Sequence, residues 1–205
     1  MKRANKLILG ARVLSAVFNP FYLPTVGLIV LFTLSYLSLL PISYKLLVLG
    51  LVYIFTILLP TLLISLYRHH QRWTLIELGQ RERRMVPYVI SILSYFMCVY
   101  IMDSMHIPHF MSSILIAALI IQILCSIVNV WWKISTHTAA IGGMAGAIAA
   151  FSMIFGYNPI FWLCVVFLVA GVLGTCRMIL RQHSLSQVVA GFVLGCIVGL
   201  LILFL

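Results

Sequence analysis

The chain is 205 residues long and 64% hydrophobic, well above the roughly 45–50% apolar content of a soluble globular domain. It carries 13 basic residues but only three acidic ones, for a formal net charge of +10. The composition excludes a water-soluble protein. The shortage of carboxylates also excludes paired-carboxylate hydrolysis, Asp-rich magnesium sites that hold diphosphates, and carboxylate-lined cation pathways.

Seven charge-poor segments are long enough to cross a bilayer, which takes about 20 apolar residues at a rise of about 1.5 Å each. The expected fold class is therefore all-α, a polytopic membrane bundle of six to seven helices, and we treat residues 1–205 as one domain. The predicted spans are 22–40, 45–67, 86–105, 109–130, 138–156, 159–176 and 185–205.

Two turns and one packing surface follow from the same pattern. The uncharged stretch 134–176 is too long for one crossing, so we predict a hairpin at 156–159, and we predict another turn at 103–108. Gly142, Gly143 and Gly146 lie inside a span, which favours close helix packing over a phosphate-binding loop.

At the N-terminus, residues 1–20 are predicted to lie along the membrane interface, because apolar residues of 7–20 share one helical face: Leu7, Ala11, Leu14 and Phe18.

The polar loops are expected to share one face of the bundle. Counting crossings places the loops 68–84, 131–137 and 177–184 on the side that also receives the N-terminus. That side then holds every basic residue except Lys45. Such an asymmetry can simply mark the cytoplasmic side. The cytoplasmic-side explanation does not account for His137 and His183, which lie at the ends of predicted spans. Ionisable residues are energetically costly to place at this depth and are therefore functional candidates.

Three basic clusters lie at or just before the start of predicted spans on this face, at 81–87, 133–137 and 177–187. Guanidinium groups, Lys133, a hydroxyl and the N–H groups of helix N-termini suit an anion with several oxygens, above all phosphate. Without an acidic metal site, phosphoryl transfer has to rely on fixed positive charge and a side-chain nucleophile. One histidine can form a phosphohistidine while a second protonates the leaving oxygen.

The third cluster contains the most informative spacing. His183 and Gln187 are spaced i, i+4 on the predicted last helix, so the amide oxygen can accept a hydrogen bond from the ring and select its tautomer. Arg177 precedes His183 by six positions, and Val-Val-Ala-Gly follows Gln187.

These residues resemble the type-2 phosphatidic acid phosphatase and vanadium haloperoxidase superfamily, in its membrane lipid phosphatase branch. Its ordered motifs are KxxxxxxRP, PSGH and SRxxxxxHxxxD. The third is matched from Cys176 to Gln187, with Gln in place of Asp. The second is matched by Ser135 and His137, with Ile and Thr in place of Pro and Gly. The first is matched only by Arg84, because Glu77 replaces the Lys and the Pro comes late, at position 87.

The resemblance covers about residues 77–191 and implies roles for them. His183 is the expected nucleophile, His137 the general acid, and Arg177 with Arg84 the phosphate clamp. Ser135 and the backbone of Thr136 complete the cradle, and Arg81 substitutes for the missing Lys. The implied partners are a phosphorylated lipid and the membrane, with no nucleic acid, cofactor or metal. The implied location is a bacterial cytoplasmic membrane, with either face possible for the site.

Gln187 is the main departure from the family pattern. An Asp orients the histidine and also stabilises the positive charge that develops on it, whereas an amide only orients it. Replacing the Asp by an amide at the comparable position of a serine protease costs on the order of ten-thousand-fold in rate, part of which comes from the wrong histidine tautomer, whereas Gln187 can present its oxygen correctly. The expected function is a metal-independent lipid phosphate or diphosphate phosphatase. The alternative is a weak or inactive homologue that binds or transports phosphorylated lipids, while metal-dependent prenyl transfer lacks the paired aspartates it needs.

Overall fold

The computed structural model describes residues 2–71 and 85–204, and all regular secondary structure in these ranges is helical. Short 3₁₀ turns cover Pro20–Tyr22 and Tyr36–Leu39, and a π-helical segment, Ile54–Leu58, joins two α-helices into one. The α-helices are α1 Lys2–Val17, α2 Leu23–Leu34, α3 Ile42–Tyr53, α4 Leu59–Gln71, α5 Met85–Ser104, α6 His109–Trp131, α7 Thr136–Phe155, α8 Ile160–Ile179 and α9 Leu185–Phe204.

Seven helical segments in the described ranges are long and apolar enough to span a membrane. The protein is therefore an all-α, multi-pass integral membrane bundle, as the composition predicts. The segments are Lys6–Thr33, Ile42–Gln71, Met85–Ser104, His109–Trp131, Thr136–Phe155, Ile160–Ile179 and Leu185–Ile202.

The first of these segments differs from the predicted span at 22–40. Helix α2 has 12 residues, or about 18 Å at 1.5 Å per residue, which is too short to cross the hydrocarbon core by itself. It ends because the Ser35 hydroxyl accepts a hydrogen bond from the backbone N–H of Leu37 at 3.2 Å and starts a 3₁₀ turn. The prediction of one helix over 22–40 is wrong at this point.

Helix α1 packs against α8. Among its described side chains, from residue 6 onwards, Ala11 and Ser15 are buried, whereas Leu7 is 64% exposed and Leu14 is also exposed. The predicted apolar stripe is therefore divided between two sides of the helix. Small side chains four residues apart let the α1 backbone approach its neighbour closely, so packing within the protein determines which face of α1 is buried.

The chain divides into two compact units, which are described separately. The terminal unit comprises Met1–Leu23 and Lys133–Leu205, and the central unit comprises Pro24–Trp132. The terminal unit contains α1, α7, α8 and α9. Part of its core is formed by Leu23, Ile141, Ala145, Ile148 and Val166.

Helices α7 and α9 are in backbone contact along most of their length. A Cβ atom added to glycines of either helix would overlap backbone atoms of the other, which confirms the prediction that the α7 glycines serve packing. The overlapping pairs are Gly142 with Phe192, Gly146 with Cys196, Gly195 with Ala139, and Gly199 with Gly143.

Both predicted turns are confirmed. Helix α7 ends at Gly156, whose φ of 66° is in the left-handed region, and the Asn158 side chain accepts from the N–H of Ile160 at the start of α8. Between α5 and α6 the left-handed residue is His106, with φ 55°. Both hairpins therefore use left-handed C-terminal caps to reverse the chain.

Candidate functional site

Two of the predicted polar loops meet at one end of the terminal unit. The backbone N–H of Ser135, just before α7, donates to the carbonyl of Gln187 in the first turn of α9 at 3.4 Å. Gly191 supports this contact, because a Cβ there would lie 2.6 Å from the Ser135 carbonyl oxygen. The prediction that loops 131–137 and 177–184 lie on the same side is confirmed.

The predicted contact between His183 and Gln187 is confirmed, but its local structure differs from the prediction. The Nδ1 atom of His183 lies 3.3 Å from Oε1 of Gln187, and His183 is 7% exposed. Helix α9 begins only at Leu185, so His183 precedes the helix and does not share a helical face with Gln187. The contact depends on how the helix is capped.

The cap of α9 is formed by Ser184 and Gln187. The Gln187 amide oxygen accepts from the backbone N–H of Ser184 at 3.2 Å, and the Ser184 hydroxyl accepts from the backbone N–H of Gln187 at 3.4 Å. This reciprocal arrangement is a capping box, which satisfies two helix N-terminal donors at once. It holds the Gln187 side chain in the first turn of α9, next to His183.

The capping box also determines the tautomer of His183. A backbone N–H can only donate, so the side-chain atom of Gln187 that receives it is the oxygen and not the amide nitrogen. That oxygen can only accept, so Nδ1 of His183 carries a hydrogen. In the neutral ring the lone pair is then on Nε2, and this lone pair gives the ring its nucleophilic character.

Arg177 lies in the last turn of α8 and is 6% exposed. The helix ends in a Schellman motif, with the N–H of Gln182 bonded to the Arg177 carbonyl at 3.1 Å and the N–H of Arg181 bonded to the Met178 carbonyl at 2.9 Å. Arg181 occupies the left-handed position of the motif with φ 52°. This turn connects Arg177, in the last turn of α8, to His183, just before α9.

Ser135 is the N-cap of α7 and is fully buried. Its hydroxyl accepts from the backbone N–H of Thr138 at 3.4 Å. In the structure this hydroxyl therefore serves the helix cap, whereas the resemblance assigns it to phosphate. Thr136, the first residue of α7, and Lys133 are both half-buried.

His137 contacts α1. Its Nε2 atom lies 3.2 Å from the backbone carbonyl oxygen of Ser15. A carbonyl only accepts, so Nε2 carries the hydrogen in this contact. The interaction joins residues 122 positions apart and brings the C-terminal part of α1 to the end of α7 that carries the site.

Two predicted site residues, Arg81 and Arg84, lie outside the described residues. The terminal unit contains no acidic residue, so the formal charges of its side chains are all positive. Its basic residues are Lys2, Arg3, Lys6, Arg12, Lys133, Arg177 and Arg181.

Sequence reasoning missed Ser184 although a signal was present. Ser followed three positions later by Gln, just before an apolar run, is a typical capping-box pattern, and Ser184-Leu-Ser-Gln187 fits it. The Ser15 carbonyl had no such signal, because it reaches His137 only through the packing of α1.

No family model, curated protein or solved structure matches the chain. The case for a function therefore depends on its own residues and their geometry.

Proposed function

We propose that the protein is a metal-independent phosphatase of lipid phosphates or lipid diphosphates in a bacterial cytoplasmic membrane. The observation that carries the proposal is the hydrogen-bonded set of His183, Gln187 and Ser184. It leaves the lone pair of a buried imidazole on Nε2, in a unit whose formal charges are all positive. A histidine held in this way is suited to covalent catalysis on an anionic substrate.

In the proposed reaction, Nε2 of His183 attacks the terminal phosphorus, and the bond from that phosphorus to the oxygen of the leaving group breaks. His137 gives a proton to that oxygen; the lipid alcohol leaves from a monophosphate, and the lipid monophosphate leaves from a diphosphate. Water, which loses a proton to His137, then attacks the phosphohistidine. The phosphorus–nitrogen bond breaks, inorganic phosphate is released and the Nε2 lone pair is restored.

Positive charge is proposed to stabilise the phosphoryl oxygens in both steps. Arg177 is nearly buried, and a guanidinium acts more strongly in such a low-dielectric position than in water. In the proposal it binds the phosphate together with Lys133, Ser135 and Thr136 of the same unit.

A second candidate function is binding or transport of phosphorylated lipids without turnover. Three observations favour it. Gln187 brings no negative charge to His183, the Ser135 hydroxyl is enclosed in the α7 cap, and Nε2 of His137 is bonded to a backbone carbonyl. Each of these weakens a catalytic role while leaving the positive charge of the site intact.

Phosphate release by the purified full-length protein tests the proposal. In detergent micelles with EDTA, we expect inorganic phosphate from at least one member of a panel of phosphatidic acid, phosphatidylglycerol phosphate, polyprenyl diphosphate and a phosphorylated glycolipid. We expect inhibition by vanadate, which mimics the phosphoryl transition state. A strict requirement for magnesium would refute the mechanism.

Variants separate the two candidates. His183→Ala is expected to abolish release, whereas His70→Ala, at an exposed histidine at the end of α4, is expected to retain it. Full activity of His183→Ala would refute the nucleophile assignment. If no lipid of the panel is hydrolysed and headgroup binding is the same with and without His183, the protein is a lipid-binding or transport protein.

A further inference from the structure

The central unit has an apolar cavity where two membrane-spanning segments begin. The segments are Ile42–Gln71 and His109–Trp131, so the cavity lies at an end of the hydrocarbon core, where headgroups and acyl chains of the lipids meet. Its volume is about 250 Å³. One wall is formed by the 3₁₀ turn Tyr36–Leu39 and the start of α3, and the other by the start of α6. All the side chains that line it are apolar or aromatic.

The shape of the cavity follows from two prolines. Pro41 and Pro108 are the N-cap residues of α3 and α6, and their ψ angles of 139° and 134° are extended. Because the proline ring fixes φ and removes the backbone N–H, the chain enters each helix from a fixed direction and without a side-chain cap. Ser35 starts the 3₁₀ turn beside them, and Leu37 of that turn is only 4% exposed. The gap between the two helix starts is therefore set by stiff backbone.

Hydrocarbon suits this cavity better than water or a protein segment does. Water needs polar partners to stay in a cavity, whereas an apolar cavity stays dry and takes up apolar ligands. A helix is about 10–12 Å wide with its side chains and does not fit into this volume. Beside the cavity, Leu39 is 87% exposed and Ile42 is 70% exposed, so the neighbouring surface is apolar too. The acyl chain of a membrane lipid has the width and polarity that the cavity requires.

Lys45 supplies charge complementarity for the headgroup of such a lipid. It follows Tyr44 of the cavity wall and is the only Lys or Arg between Arg12 and Arg68. Its ammonium donates to the backbone carbonyl of Ser38 at 2.6 Å, which holds the charge at the 3₁₀ turn that lines the cavity. An ammonium has three N–H donors, so it can bind a phosphate oxygen while it keeps this bond. The positive dipole ends of α3 and α6 act in the same direction.

We propose that a phospholipid of the bilayer binds at this place, with one acyl chain in the cavity and its phosphate on the Lys45 ammonium. The lipid fills an apolar space that water would leave empty, and its phosphate neutralises the isolated lysine. This site belongs to the central unit, and it is independent of the phosphatase proposal because the bound lipid is a structural ligand and not a substrate.

Photo-crosslinking of the full-length protein in lipid nanodiscs tests the proposal without a variant. The nanodiscs contain a trace of phosphatidylglycerol with a diazirine in one acyl chain, and mass spectrometry locates the label after illumination. We expect more label on the cavity walls, residues 37–44 and 108–111, than on Phe161 and Leu168 of α8, which are 67% and 71% exposed. Diacylglycerol with the same chain lacks the phosphate and should label the walls about fivefold less, the factor that one basic residue contributes near an anionic headgroup.

Variants separate the role of the charge from that of the cavity. Lys45→Gln should lower the labelling by phosphatidylglycerol about fivefold, to the level of diacylglycerol. Arg68→Gln is the matched control, because Arg68 lies near the other end of the same spanning segment, and it should leave the labelling unchanged. Leu40→Trp fills the cavity and should remove the label of both lipids from its walls.

Four results would overturn the proposal. They are equal labelling of the walls by the two lipids, undiminished labelling in Lys45→Gln, wall labelling no higher than that of Phe161 and Leu168, and a dimer, seen by native mass spectrometry, in which a second copy covers this face and keeps the lipid out.

Discussion

Gly191 is the position at which helix packing and the candidate site are most directly linked. In Gly191→Ala the new methyl group would lie 2.6 Å from the Ser135 carbonyl oxygen and 2.7 Å from the Thr138 hydroxyl. Ordinary contact begins at 3.4 Å, so α7 and α9 have to separate locally by about 0.8 Å. One of the two obstructing atoms belongs to the backbone, which cannot rotate away as a side chain can.

The size of the effect follows from two opposing terms. Overpacking of this kind costs about 1–3 kcal/mol, while the better helix propensity of alanine returns about 1 kcal/mol. We expect a net destabilisation of up to about 2 kcal/mol. The separation also breaks the bond between Ser135 and Gln187, which is already 3.4 Å long. A misplacement near 1 Å costs on the order of 100-fold in rate.

Gly171→Ala is the matched control, since a Cβ at Gly171 in α8 has nothing within 4 Å. We expect it to be neutral or stabilised by up to about 1 kcal/mol. Thermal unfolding of both variants in one detergent measures the stability effect, and phosphate release per folded protein measures the effect on the site. If Gly191→Ala is as stable as Gly171→Ala, the packing argument is wrong whether or not the protein is a phosphatase.

Three further predictions concern the turn and the helices around the site. Gln187→Leu removes the acceptor for the His183 ring and should abolish phosphate release. Gln187→Glu adds a charge-assisted hydrogen bond worth about 1 kcal/mol more and should raise turnover about fivefold to tenfold. Equal rates of phosphate release for the two variants would contradict the role of Gln187. Arg181→Gly relieves a left-handed residue and should raise the free energy of unfolding by about 1 kcal/mol, which a denaturant or thermal titration measures. Ala11→Leu should push α1 away from α8 and lower the free energy of unfolding by about 1–3 kcal/mol. Ala16→Leu, on the exposed side of α1, should have no such effect in the same thermal unfolding experiment.

The sequence predicted the membrane-spanning segments well because length and hydropathy are local properties. It also predicted the two hairpins, since each is marked by turn residues between long apolar runs. The error at 22–40 has a local cause as well. Ser35 sits in a run that hydropathy treats as continuous, but its hydroxyl caps a 3₁₀ turn, and a hydropathy window does not detect a single capping side chain.

The candidate site was predictable in part. The spacing of His183 and Gln187 indicated the contact between them, although the prediction placed both on a helix that begins only at Leu185. The contact forms because Ser184 caps that helix and fixes the amide. The Ser135 cap of α7 is a contact over three residues, so it could have been predicted from the preference of Ser for the N-cap. The bond from His137 to Ser15 could not be predicted, because it arises where separate helices meet.

By itself, the sequence determined that this protein is a helical membrane bundle with an excess of positive charge and hardly any carboxylates. Those properties depend on composition and on the periodicity of single segments. Only the tertiary structure decided which atoms meet. The small face of α1 on α8, the glycine faces of α7 and α9, and the hydrogen bond from Ser135 to Gln187 each depend on packing. Contacts between segments distant in sequence are selected by the shape and polarity of both partners together, and neither segment encodes that choice alone.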